Sequence, residues 1–274
     1  MMKITALAPW YGSNRMLAKY AGRLLQGCEW VGVPFAGGMC ELAHMNARTM
    51  LVSDLHRHVI NLAMVVADQK KKAELIDHLN NRLFHSDVLD RAQKRCLARE
   101  RMPDVGLQIE STQWAVDYFV CCWMARSGTA GTTNEFKAGL SVRWDAAGGD
   151  SVVRFRNAAA SLEAWHKIAQ RCTFVCIDVF DFLDKVKDKP EHGLYLDAPW
   201  PTDGDHYKHT FTEAQQRRLA DRLDQFQHCR LVIRYGNHPL IVELYHEDKW
   251  KWNRLTGRTV LNKLKQEVLI TRRC

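Results

Sequence analysis

The sequence has no apolar run near the roughly 18 residues that carry a helix across a bilayer. Its longest candidate, residues 59–67, is broken by Asn61, so no membrane partner is expected. The chain does not open with a charged segment, an apolar run and a small-residue cleavage site, so export is not expected either. Internal repeats and low-complexity tracts are also missing. Nine cysteines are present, but the count is odd and no C-x-x-C pair occurs. Cys121 and Cys122 are adjacent in an apolar run, and three residues separate Cys172 from Cys176. Free buried thiols in a reducing compartment account for this pattern better than a disulfide framework. Cys172, Cys176 and His166 fit the spacings of a zinc site poorly, so no metal is expected.

What is present is ordinary for a globular protein. The chain has 274 residues, 46% hydrophobic and 26% charged, which excludes a disordered or fibrous reading. This length suggests about two domains, or one large α/β domain carrying an insertion. Lys and Arg number 39 against 31 Asp and Glu, a net charge of +8. The surplus is concentrated near the C-terminus, where Lys249, Lys251, Arg254, Arg258, Lys263, Lys265, Arg272 and Arg273 face only Glu247, Asp248 and Glu267. Trp250 and Trp252 interleave with these cations. The stretch reads either as a solvated β-hairpin face or as a surface that contacts phosphates.

Along the chain, Trp30 to Phe35 reads as a short buried strand, Ala36-Gly37-Gly38 as a turn, and Met39 to Met45 as the opening of a helix. A second strand, Met50 to Ser53, ends on Asp54 and leads into a helix through Val59, Ile60, Leu62 and Val65. Strand, glycine turn, helix, strand and acid form the βαβ pattern of a doubly wound parallel sheet. Residues 68–125 read as helices, with Trp114, Tyr118, Phe119 and Trp123 spaced as a core stripe. Residues 126–151 are rich in Gly, Ser and Thr and read as a long loop or hairpin, a length that is usually functional. Alternation then resumes with a strand near Thr173–Ile177, the segment "DVFDFLDKV", and a strand that ends at Asp197. The expected organisation is a discontinuous core (1–66 and 165–274) around a mainly helical insertion (67–164).

Several residues stand where such a sheet binds ligands. Phe35-Ala36-Gly37-Gly38 joins a strand to a helix, so its glycines would let the backbone approach a ligand closely. Asp54, at the end of the next strand, is suited to the hydroxyls of a ribose. Asp181 and Phe182 either hold and stack an adenine ring or form a polar turn with one core Phe. His56 and His58, two apart on an expected helix, should point to different faces and so should not chelate. Asp197-Ala198-Pro199-Trp200 combines an acid, a carbonyl beside a proline, and a large ring at the carboxyl end of a strand. The carboxylate and carbonyl together accept both hydrogens of an exocyclic amino group. The ring can stack on an extruded base, worth about 1–3 kcal/mol.

Trp10-Tyr11-Gly12-Ser13-Asn14-Arg15, Phe35-Ala36-Gly37-Gly38, Asp54, Asp181-Phe182, Asp197-Ala198-Pro199-Trp200 and the closing "EVLITR" together resemble the Dam-like (D12 class, α-group) DNA adenine-N6 methyltransferases. The motif order is also similar to that of the family. Tyr207, His209 and Phe211 before a helix, and Tyr235 to His238, look like two further family segments. The resemblance implies a Rossmann-like methyltransferase core of class α/β and S-adenosylmethionine as methyl donor. Cofactor contacts would come from Trp10, Asn14, Arg15, Phe35, Ala36, Gly37, Gly38, Asp54, Asp181, Phe182 and Asp197. Double-stranded DNA is the implied partner, with Arg126, Lys137, Arg143, Trp144, Tyr207, His209, Lys249 and Lys251 as contacts and base flipping as the route to the adenine. A cytoplasmic, bacterial or phage-encoded protein is implied, either an orphan enzyme or one with a cognate restriction endonuclease. The oligomeric state is not indicated. The sequence departs from the family's usual Asp-Pro-Pro-Tyr at Ala198 and Trp200, and Asn14 holds the position of an N-terminal lysine. A cytosine-N4 enzyme and a DNA-binding homologue without catalysis are the alternatives.

Overall fold

The structure, a computed structural model, describes residues 6–13, 15–102, 111–126, 129–144, 149–201, 206–258 and 264–272. The chain divides into two compact units. One comprises Gly12–Ala36, Cys40–Leu55 and Arg171–Cys274; the other comprises Met1–Tyr11, Gly37–Met39 and His56–Gln170.

The first unit is built on a sheet. Its described strands are β1 (Trp30–Val33), β2 (Thr49–Ser53), β3 (Cys172–Val175), β4 (His192–Leu196), β5 (Arg230–Gly236), β6 (Trp250–Arg258) and β7 (Leu264–Arg272). They lie in the order β3-β2-β1-β4-β5-β7-β6. The first five are parallel, while β7 runs antiparallel to both β5 and β6. The central strands β4 and β5 are almost continuously buried rather than alternating, as a sheet covered on both faces requires. The helices of this unit are α1 (Arg15–Leu24), α7 (Val179–Leu183), α8 (Glu213–Asp224) and α9 (Pro239–Leu244). The α8 helix starts at a capping box between Thr212 and Gln215, and buries Gln216, Leu219, Ala220 and Leu223 at helical spacing. Where Met39 to Met45 was expected to open a helix, the chain makes only a short 3₁₀ turn, Cys40–His44.

From β1 the chain runs outward through β2 to β3, then returns to β4 on the opposite side of β1. The order therefore reverses between β1 and β4, and ligands of doubly wound sheets bind beyond the carboxyl ends at such a point. Phe35 and Ala36 follow β1 there, and Asp197 follows β4. The unit has the α/β, Rossmann-like fold expected of a methyltransferase core.

The second unit is helical: α2 (Arg57–Ala67), α3 (Gln69–Asn80), α4 (Ser86–Glu100), α5 (Thr112–Met124) and α6 (Ser151–Ala169). It takes in α2, which the sequence reading assigned to the core, because α2 is buried along most of its length and packs on α3, α5 and α6. α5 is its axis, and Trp114, Tyr118, Phe119 and Trp123 are all buried. The described part of 126–150 has turns and isolated bridges (Ala125 with Leu140, Trp10 with Ala130) but no helix or regular strand. The eight described cysteines are free, and no described helix is long and apolar enough to cross a membrane.

Asp117 of α5 is 1% exposed and accepts four hydrogen bonds from three side chains. Arg95 donates to it at 2.9 and 2.6 Å, Arg99 at 2.8 Å and Gln113 at 3.0 Å. Both arginines keep some exposure, so they can turn to water when the carboxylate is lost. Asp117→Ala should therefore lower stability by about 1–3 kcal/mol, read by denaturant unfolding; an unchanged midpoint would show that the network contributes nothing.

Candidate active site at the reversal point of the sheet

The site in the sheet unit is organised by a buried arginine. Arg234 lies in the apolar run Leu231–Tyr235 of β5 and is 2% exposed. Its Nη1 donates to Asp197 Oδ2 at 2.6 Å. Nε and Nη2 donate to Glu267 Oε2 at 3.0 and 2.8 Å, and Nη2 also reaches the Gly12 carbonyl at 2.9 Å. The guanidinium carbon stands 5.4 Å from the centre of the Trp200 ring. Burial acts to lower the Arg234 pKa, but Asp197, Tyr195, Glu267 and Glu41 outweigh it and the group stays charged.

The Asp197 side chain keeps 22% exposure, and Oδ1 carries no hydrogen bond among the described residues. Desolvation pushes its carboxyl up to about 6; Arg234 opposes this, while Glu41 and Glu267 add to it. Tyr195 donates to Glu41 Oε1 at 3.4 Å. Its phenol is pushed well up by burial, reinforced by Glu41 and Asp197. Cys40, beside Glu41, meets the Ser13 hydroxyl at 3.1 Å.

The rest of the motif is held from α8 and β5. Ala198 is buried at 1% exposure. Gln216 donates to the Pro199 carbonyl at 2.7 Å and accepts from the Tyr235 hydroxyl. The Trp200 ring lies so close to Gly236 that a Cβ there would meet it at 2.8 Å. Trp200 exposes only 8%, so less of its ring is open than a stacking platform suggests. Gly12, at φ +73, leaves room for the Tyr207 hydroxyl; a Cβ would meet it at 2.4 Å. His209 is exposed nearby in sequence.

The remaining cofactor candidates divide. Phe35 is half-buried, with its ring edge-on to Phe211 at 5.5 Å. Ala36 donates its N–H to the Ser53 carbonyl, and Asp54 is half-buried directly after β2. Asp181 is exposed in α7, whereas Phe182 is fully buried against β1. Of the two readings of Phe182, stacking ring or core residue, the structure takes the second: its turn of α7 faces the core. Beside it, Phe180 is capped by Arg218 at 3.8 Å and stacks on Phe211. Asn14 and the side chain of Arg15 lie outside the described residues.

In the helical unit, Trp10 occupies the space beside the glycines. A Cβ on Gly37 would meet the indole at 3.0 Å, on Gly38 the Ala8 carbonyl at 2.4 Å, and on Gly131 the indole at 2.5 Å. These glycines therefore make room for the protein's own chain, which corrects the expectation that they clear space for a ligand. Here too His56 and His58 come within 5.5 Å, against the expectation from helical spacing, because His56 is the N-cap of α2 rather than part of it. His56 binds Glu135 at 2.7 Å. No group of three or more metal-ligating side chains occurs among the described residues.

Of the expected nucleic-acid contacts, Arg126, Lys137 and Arg143 are exposed and Trp144 is 93% exposed. Arg143 donates to the Gly149 carbonyl. On the basic hairpin, Lys249 pairs with Asp224 at 3.0 Å and Arg254 with Glu247 at 2.5 Å, while Lys251 is exposed. Lys249 and Arg254 are thus answered by nearby carboxylates. The sequence reading missed Arg234, Glu267, Glu41 and Gln216. The available signal was one charged residue inside the apolar run of a central strand.

No family model and no curated protein matches the chain. Among solved structures it is similar to the rRNA methyltransferase AviRa from Streptomyces viridochromogenes, at 13% identity and a TM-score of 0.43, over 95% of this chain and 85% of that one.

A methyl group at Gly236 must displace the Trp200 ring. Gly236→Ala should cost about 1–3 kcal/mol in denaturant unfolding. Gly139→Ala, where a Cβ meets nothing within 4 Å, should be near neutral; equal losses in the two would disprove the close packing of Trp200.

Proposed function

We propose that the chain is an S-adenosylmethionine-dependent methyltransferase that modifies the exocyclic N6 amino group of adenine in double-stranded DNA. The observation that carries this reading is Asp197-Ala198-Pro199-Trp200 at the carboxyl end of β4, beside the sheet's reversal point, with Asp197 Oδ1 unengaged among the described residues. An acceptor-only pair, Asp197 Oδ1 and the Ala198 carbonyl, suits an amino group and disfavours a carbonyl edge. By accepting its hydrogens the pair draws the nitrogen toward tetrahedral geometry and frees its lone pair. Alignment of that lone pair supplies most of the remaining rate gain. After transfer the surplus proton leaves to solvent, so no general base is required.

S-adenosylmethionine supplies the electrophilic methyl group. The residues present suit it: the half-buried Asp54 carboxylate for ribose hydroxyls, the exposed Asp181 carboxylate for an amino edge, and the half-buried Phe35 ring for an apolar face. Arg15 is the further contact within the sheet unit that this reading assigns. DNA would be met by the exposed Trp144, Arg143, Arg126 and Lys137, with Tyr207, His209 and Lys251. Arginine is suited to bidentate contact with guanine or phosphate.

The test is transfer of labelled methyl groups to DNA from a methylation-deficient host, followed by nucleoside analysis. N6-methyladenine is the expected product. N4-methylcytosine would move the reading to the other amino group, and no incorporation would overturn it. Asp197→Ala should reduce transfer by about 100-fold or more while cofactor affinity stays within severalfold. Turnover should fall as pH drops through about 6, where Asp197 takes up a proton and loses its acceptor, and should level off above.

A further inference from the structure

Arg234 is the only arginine among the described residues with its side chain out of water. Burying a guanidinium costs several kcal/mol even when it is paired, and an apolar side chain in the same strand is often at least as stabilising. Stability alone therefore gives little reason for an arginine in the run Leu231–Tyr235. What the charge holds is more informative. It takes one oxygen of Asp197, both hydrogen bonds to Glu267, the Gly12 carbonyl, and a place at the Trp200 ring. The first and last residues of the Asp197–Trp200 motif thus share one anchor.

We propose that Arg234 is the positioning residue of the amino-acceptor site, fixing Asp197 through Oδ2 so that Oδ1 is the oxygen offered to the substrate. The choice of substrate rests on the methyltransferase reading; the hold of Arg234 on Asp197 does not. Among the described residues, the charged and titratable groups facing Asp197 are Arg234 and Tyr235 from β5, Glu267 from β7, Glu41 from the 3₁₀ turn, and Tyr195 from β4. Arg234 is the one cation among them, opposed by two further carboxylates. Removing Arg234 and removing the Glu267 charge must therefore act on Asp197 in opposite directions.

The experiment follows the Asp197 carboxyl by ¹³C NMR titration, assigned by its absence in Asp197→Asn, with thermal unfolding recorded alongside. Relative to wild type, Arg234→Met should raise the Asp197 midpoint by about one unit or more, and Glu267→Gln should lower it. Arg234→Lys should keep the midpoint near wild type while losing the forked geometry. In transfer assays Arg234→Met should lower kcat about 100-fold, with KM for S-adenosylmethionine within severalfold and its acid limb moved upward. Arg234→Lys should lower kcat without moving the limb. A merely structural arginine would change unfolding and leave the Asp197 midpoint where it was, and that result in a folded variant overturns the proposal. Should Arg234→Met not fold, the downward shift in Glu267→Gln and the kcat loss in Arg234→Lys decide it. Absence of transfer by the wild type would defeat the methyltransferase reading alone, since the titration still reports whether Arg234 governs Asp197.

Discussion

A guanidinium removed from water must have its N–H groups answered and its charge balanced. Arg234 meets both demands by drawing together segments far apart in the sheet unit: the turn at Gly12, the end of β4 at Asp197, and Glu267 on β7. The antiparallel β7 contributes because its register brings Glu267 opposite Gly236, two residues beyond Arg234 on the same face of β5. Asp197 is in turn held in a cluster of like charges that, among the described residues, Arg234 offsets. Around it, Gln216 ties down the Pro199 carbonyl and Gly236 admits the Trp200 ring. The strand end is thus held by side chains from β5 and α8.

The helical unit solves its own version of the same problem. Asp117 is buried on α5 and answered by Arg95, Arg99 and Gln113. Lys72 is 2% exposed and reaches Glu163 at 2.7 Å. His56 caps α2 and meets the buried Glu135. Each polar group is costly to bury alone and inexpensive when paired. Trp10 lies over Gly131 and Gly37 in this unit, and the glycines there are explained by the indole they accommodate.

The elements that were legible in the sequence are those with local signals. Buried strands ending on Asp54 and Asp197 and the aromatic stripe of α5 follow from periodicity. The misreadings share one cause, which is that the deciding partner is remote in sequence. Phe182 looked available beside Asp181, but the core under β1 takes its ring. Gly37 and Gly38 looked like ligand clearance, but Ala8 and Trp10 fill the space. The cations of the C-terminal hairpin were weighed against Glu247, Asp248 and Glu267, but Asp224, 25 residues before Lys249, answers both Lys249 and Arg272.

By itself the sequence determined a doubly wound α/β sheet with a helical insertion, and the four residues at the end of β4 that carry the proposed chemistry. Those are consequences of short-range pattern: runs of apolar residues, turn glycines and caps. Only the tertiary structure decided which oxygen of Asp197 Arg234 engages, which rings are core, and where α2 belongs. Ion pairing and close packing join residues more than 30 positions apart, such as Arg234 with Asp197 and with Glu267. No spacing rule along the chain encodes those pairings.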